Sequence, residues 1–236
     1  MNWKQKDHDF IWHPFSPLQG VNKPLVVERA SGVYLYTECG KKIIDAVSSW
    51  WVNLHGHANP YIAEKVSEQL YNLEHVIYAG FTHKPSIELA ERLLKILPEN
   101  QSKIFYSDNG STAVEVAIKL ALQYWYNKGT PKSKIIAIDG AYHGDTFGAM
   151  SVGERSIFTK PFFRFLFDVE FIPFPQGTHD QEVITLFNSI CQNGDVAAFI
   201  IEPLVQGAAG MRMYSKATLN KLLDICKSHE IVSIAD

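Results

Sequence analysis

Asp236 follows the apolar run EIVSIA. A carboxylate at the tip of a buried strand has to be paired, solvated or neutralised, which marks it as a candidate for chemistry. In FYSDNGSTAVEVAIKLA a short apolar run enters the turn DNG, and Ser111 or Thr112 opens a long helix. The unpaired N–H groups of that first turn, with Gly110 and the Ser111 hydroxyl, make a cradle suited to phosphate. IDGAYHGDTFGAMSVG sets Tyr142 and His143 between two glycines, where an aromatic face and an imidazole could enter a cleft. Each stretch also has a plainer reading. The first could be an acid that caps a helix or begins a turn. The second could be an ordinary helix capped by a T-x-x-E box of Thr112 and Glu115, and the third a simple turn. The cradle carries neither a G-x-G-x-x-G fingerprint nor the lysine of a P-loop. His55 and His57 in HGH invite a zinc reading, but no third ligand stands at recognisable spacing, so no metal is expected.

These residues need elements to hold them. SKIFYS, KIIAID, VEFIPF, VAAFIIEP and EIVSIAD read as short strands. STAVEVAIKLALQYWYNKG and SKATLNKLLDICKSH read as helices between or after them. Strands apolar on both faces and separated by helices predict an α/β domain with a mainly parallel sheet. Ligands in such sheets bind beyond the carboxyl ends of the strands, where all three stretches fall. Upstream, WHPFSPLQG reads as an irregular arm. LVVERASGVYLYTECGKKIIDAV reads as a hairpin turning at ECGKK. Residues 61–97 take helical spacing through Ile62, Val66, Leu70 and Leu73, and again in IELAERLLKIL. The expected organisation is an arm and hairpin over 1–60, a helical connection over 61–100 and the main sheet domain over 101–236.

Composition sets the broad class. With 236 residues, 46% of them hydrophobic, the chain can bury a sizeable core. Its 22 Lys+Arg against 25 Asp+Glu are scattered, which gives no basic footprint for nucleic acid or an anionic membrane. No stretch approaches the roughly 18 apolar residues of a membrane helix, and the polar start MNWKQKDHDF has no signal-peptide core. Three cysteines without close pairs read as reduced thiols of a cytoplasmic protein.

Six segments in order carry a family resemblance: IWHPF, AVSSWWVNLHGH, GFTHKPSIELAERL, SDNGSTAVEVAIKLALQYW, AYHGDTFGAMSVG and IIEPLVQGAAGMRMY. The chain resembles the class III aminotransferases, fold-type I enzymes that use pyridoxal 5′-phosphate (PLP). Within that family it is most similar to the biotin-pathway branch, which converts 8-amino-7-oxononanoate to 7,8-diaminononanoate with S-adenosylmethionine as amino donor. The resemblance implies the three-layer PLP-dependent transferase fold, with the chain stopping after a sheet strand, and a homodimer.

It also implies roles. Gly110 and Ser111 would hold the cofactor phosphate, Tyr142 would stack on its ring and help to form the substrate pocket, and Asp236 would pair with the ring nitrogen. A carboxylate beside a cation favours the charged form of both. Trp50 would wall the substrate site, unless the WW pair serves a core or an interface. The Schiff-base lysine is expected beyond Asp236, so none of the lysines in this chain is nominated. Phe15 stands where the family arm has Tyr, which removes a hydroxyl near substrate and leaves lysine open as the alternative donor. Ala208 stands where many ω-aminotransferases have the Glu of Q-G-E-G, which disfavours ornithine or 4-aminobutyrate. The rival readings are another ω-aminotransferase with a different acceptor, and a noncatalytic piece of an enzyme.

Overall fold

A computed structural model describes residues 2–20 and 24–236. The chain divides into two compact units, Met1–Gln101 and Ser102–Asp236.

In the first unit α1 (Trp3–Phe10) is capped by Asn2, whose side chain accepts from the Gln5 N–H, and the residues after it run without regular structure to position 20. The expected hairpin is instead a three-stranded antiparallel sheet in the order β1 (Val27–Ser31), β2 (Tyr34–Thr37), β3 (Lys42–Ile44). The ECGKK turn joins β2 to β3. The missed reversal lies at Gly32, whose φ of 55° suits a glycine. Next comes α2 (Ser48–Trp51), a single turn of left-handed helix with φ of 48°, 48°, 59° and 67°. That conformation costs an L-residue about 1–2 kcal/mol each. The predicted helical stretch is two helices, α3 (Pro60–Asn72) and α4 (Lys84–Leu94), each with proline in its first turn, where a missing N–H costs nothing. Their N-caps are Asn59 and His83, which accept from the Ile62 and Ser86 N–H groups.

The second unit is an α/β/α sandwich. Its parallel sheet has the order β5-β4-β6-β9, with β4 at Lys134–Ile138, β5 at Glu170–Ile172, β6 at Val196–Ile201 and β9 at Val232–Ala235. Alternation along the strands divides the core. Ile135, Ala137 and Ile200 pack with Val114, Ile118, Ala149 and Val152 of α5 (Gly110–Asn127) and α6 (Phe147–Val152). Ile136, Ile138, Phe199 and Ile201 face Phe187 of α7 (Asp180–Cys191) and Leu222 of α8 (Lys216–Ser228). All six residues of β6 are buried, which explains why a central parallel strand reads as an unbroken apolar run. The Phe187 and Phe199 rings meet at 4.6 Å. Burying each such side chain is worth about 1.5–3 kcal/mol.

One predicted strand is absent. SKIFYS has no strand structure; no strand among the described residues pairs with it, and Phe105 is exposed. Two short strands, β7 (Val205–Gln206) and β8 (Arg212–Met213), form a separate hairpin after β6. Among the described residues, no helix is long and apolar enough to cross a membrane.

Candidate active site at the carboxyl edge of the sheet

Because the four strands run parallel, the chain segments leaving β4, β6 and β9 emerge at one edge. Asp236 is tied there by its N–H to the Ile201 carbonyl at 3.0 Å. Glu202, the residue after β6, accepts the Tyr142 N–H through Oε1 at 3.0 Å and the Gly207 N–H through Oε2 at 2.8 Å. One carboxylate thereby fixes the start of the loop after β4. The Tyr142 hydroxyl donates to Asp145 Oδ2 at 3.0 Å. Burial and then the Asp145 carboxylate push the phenol above its ordinary pKa, so it stays protonated. The residue is 48% exposed and open to a ligand.

His143 turns the other way. Its side chain is fully buried and its Nδ1 lies 2.7 Å from Asp236 Oδ2. The carboxylate can only accept, so Nδ1 carries the proton. Nε2 is buried, with no hydrogen-bond partner among the described residues. The Asp236 side chain keeps 31% of its surface exposed.

Two residues further on, the loop reaches α5. The Asp145 N–H donates to Ser111 Oγ at 3.2 Å. Gly144, at φ 119°, passes so close that a Cβ there would fall 2.0 Å from the same oxygen. Only glycine fits. The helix begins at Gly110, and its capping box is Asn109 with Thr112: the Thr112 N–H donates to Asn109 Oδ1, and the Asn109 N–H donates to Thr112 Oγ1. The Thr112–Glu115 box read from the sequence is therefore displaced by three residues. Glu115 instead accepts the Gly148 and Ala149 N–H groups at 2.6 and 3.3 Å, and so caps α6 from outside. The first α5 bond runs from the Ala113 N–H to the Asn109 carbonyl. The Gly110 and Ser111 N–H groups thus lie ahead of the helical ladder, and a Cβ on Gly110 would meet nothing within 4 Å.

The site has three parts: N–H groups outside the helical ladder at Gly110 and Ser111, a half-exposed tyrosine, and a partly exposed carboxylate. Residue 143 touches the carboxylate and residue 145 touches Ser111, and their Cα atoms can be at most about 7.6 Å apart. A small planar molecule with an anionic group at one end and a ring cation at the other fits these residues, and PLP has that form.

In the first unit the structure brings Phe15 and Trp50 together, with ring centroids 5.9 Å apart and planes at 55°. Both are exposed, at 73% and 68%. His57 of the HGH segment lies 2.8 Å from Asp45.

The sequence alone assigns no role to Asp145 and Glu202, places Glu115 in a capping box that it does not form, and gives His143 no partner. Their contacts join positions 33 to 93 residues apart, except the local Tyr142–Asp145 and Glu202–Gly207 bonds. A carboxylate directly after the six-residue run VAAFII was the available signal for Glu202.

The family model for aminotransferase class-III matches residues 16–236. An adenosylmethionine-8-amino-7-oxononanoate aminotransferase of Synechococcus elongatus is 51% identical over 237 residues, which is 97% of this chain and 56% of the relative. One of the same name from Staphylococcus aureus is 40% identical over 250 residues, covering 99% and 55%. A solved structure of that name from Methanocaldococcus jannaschii superposes with a TM-score of 0.91 at 35% identity, covering 99% of this chain and 54% of its own. An omega transaminase from Pseudomonas jessenii, solved in complex with PMP, gives 0.87 at 28%, covering 100% and 56%. The chain spans about half the length of the curated relatives it matches.

Proposed function

The chain belongs to the class-III aminotransferases, and from that premise we propose that the whole protein aminates 8-amino-7-oxononanoate to 7,8-diaminononanoate, with S-adenosylmethionine as donor. The shared name of the relatives supports this choice of substrates. The family's cofactor is PLP, which when bound takes the amino group from one substrate and passes it to the other, with its ring as the electron sink.

The residues divide the work of holding it. The Gly110 and Ser111 N–H groups, at the positive end of an 18-residue helix, receive the phosphate. The Tyr142 ring, whose backbone is fixed by Glu202, would stack on the coenzyme ring. Asp236 holds the proton on the ring nitrogen, and His143 fixes the carboxylate from behind. Phe15 and Trp50 form an aromatic wall for the aliphatic acceptor. Residues 101–236 are read as the first part of the cofactor domain, 1–60 as part of the small domain and 61–100 as their helical connection. The protein acts as a cytoplasmic homodimer.

The observation that carries this reading is the loop 142–145, which reaches the N-terminus of α5 at one end and Asp236 at the other. The test is spectroscopic. Adding S-adenosylmethionine to the PLP-loaded whole protein should abolish the coenzyme's visible absorbance, and 8-amino-7-oxononanoate should restore it. No response to S-adenosylmethionine or lysine would refute the reading. The likeness to omega transaminases favours one second reading, a different acceptor. Turnover with other amines but none with the keto-amine would establish it.

A further inference from the structure

The left-handed turn α2 holds four successive residues, none of them glycine, in a region that L-residues visit singly. Such backbone persists only where its surroundings over-determine it, and here they can be named. Asp45 directly follows β3, and its N–H donates to the Val33 carbonyl at 2.9 Å. Its Oδ2 accepts the Ser49 hydroxyl at 2.7 Å and lies 2.8 Å from His57 Nε2. His57 is itself anchored, exchanging two backbone hydrogen bonds with Gly32 at 3.0 and 2.8 Å. Gly56 beside it has φ 80°, and a Cβ there would come within 3.1 Å of Gly32 Cα. The Asp45 and His57 side chains are only 7% and 14% exposed. The hydrogen bonds from Ser49, backbone and hydroxyl, and then His57 draw the Asp45 carboxyl down to about 2, so it is a full anion at neutral pH.

What this clamp presents is a pair of indoles, large apolar rings with one polar N–H each. Trp50 and Trp51 are 68% and 63% exposed, and Trp50 meets Phe15. A right-handed turn over residues 48–51 would carry the indoles in another direction.

We propose that Asp45 is a positioning residue: with Ser49 and His57 as its partners it locks α2 left-handed and thereby sets where the Trp50 ring stands for the acceptor. The proposal rests on the reading of Trp50 as an acceptor wall, and its test separates the two.

The test uses Asp45→Asn, Ser49→Ala, Ser48→Gly and Trp50→Ala variants of the whole, PLP-loaded protein. Asparagine keeps the shape but gives Ser49 and His57 a neutral partner. Asp45→Asn should raise KM for the keto-amine by roughly tenfold with a smaller change in kcat, and should alter the near-ultraviolet circular dichroism of the tryptophans. Ser49→Ala removes one partner only and should shift both readouts in the same direction by less, which covers the case of Asp45→Asn failing to fold. Adding Ser48→Gly should restore both, because glycine takes φ 48° without a Cβ penalty. A dichroism signal unchanged by Asp45→Asn or by Ser49→Ala overturns the proposal, and so does a signal that glycine does not restore. A restored signal with a keto-amine KM indifferent to Trp50→Ala would keep the clamp and refute the acceptor wall.

Discussion

His143 Nδ1 lies 2.7 Å from Asp236 Oδ2, while the other ring nitrogen is buried with no partner among the described residues. The imidazole therefore spends its one proton on the carboxylate, and Nε2 keeps its lone pair. A hydrogen bond to a charged group is worth about 1.5–3 kcal/mol. His143→Ala should weaken PLP binding by tenfold or more, read by fluorescence titration of the whole protein. Tyr142→Phe removes only the hydroxyl bond to Asp145 and should weaken it less. Equal affinities for wild type and His143→Ala would remove His143 from the site.

The contact of Glu115 with Gly148 yields a change of sign. A Cβ on Gly148 would fall 2.2 Å from Glu115 Oε2, so the carboxylate would have to swing off the two N–H groups that it caps. Losing that cap costs about 0.5–2 kcal/mol, more where the lost bonds are charge-assisted. Replacing glycine by alanine in a helix returns up to about 1 kcal/mol. Gly148→Ala should thus destabilise the wild type by about 1 kcal/mol in urea unfolding. In a Glu115→Ala background it should stabilise instead, because the obstacle and the cap are both gone. Destabilisation of equal size in both backgrounds would show that the two residues are not coupled.

These two contacts also mark what was legible beforehand. The strands KIIAID and VAAFIIEP announce themselves because both faces of a central parallel strand are buried, and β6 is buried along its whole length. SKIFYS has the same local character but no neighbouring strand among the described residues, and pairing is not a local property. Tyr142, Ser111 and Asp236 could be nominated from their places at strand ends and a helix start. His143 could not be joined to Asp236 across 93 residues. The capping box was misplaced by three residues because Asn109 and Thr112 are both good N-caps. The left-handed turn left no trace at all: SSWW has no glycine, and its conformation is imposed by Asp45 and His57 from outside.

That imposition makes stability depend on acid. The Asp45 carboxyl sits at about 2 in the folded protein against an ordinary 3.8. A depressed carboxyl contributes stability that is complete above its unfolded pKa and is lost as pH falls toward the folded one. The contribution should be intact above about pH 4–5 and disappear between roughly pH 4 and pH 2. Melting temperatures of wild type and Asp45→Asn, measured from pH 6 downward, should converge across that window. A gap between the two that stays constant into strong acid would show that the folded protein does not hold Asp45 ionised.

The three thiols of this chain should separate by chemistry. Cys191 and Cys226 are buried within the second core, where burial pushes their thiols up to about 12 and about 11; the neighbouring Cys226 adds to the rise at Cys191, while a Ser233 hydrogen bond opposes it at Cys226 without cancelling it. The thiolate is the reactive form, so neither should react at neutral pH until the sheet unfolds. Cys39 lies exposed in the turn between β2 and β3, and the Thr37 hydroxyl, at 3.2 Å, leads the hydrogen bonds that lower its pKa, with the Lys41 backbone next. Brief iodoacetamide treatment followed by peptide mass spectrometry should find label on Cys39, and on Cys191 and Cys226 only after denaturation. Native labelling of Cys226 at a rate near that of Cys39 would contradict the packing of α8 against β6, since that side chain has no exposed surface in the core shared with Leu222 and Phe199.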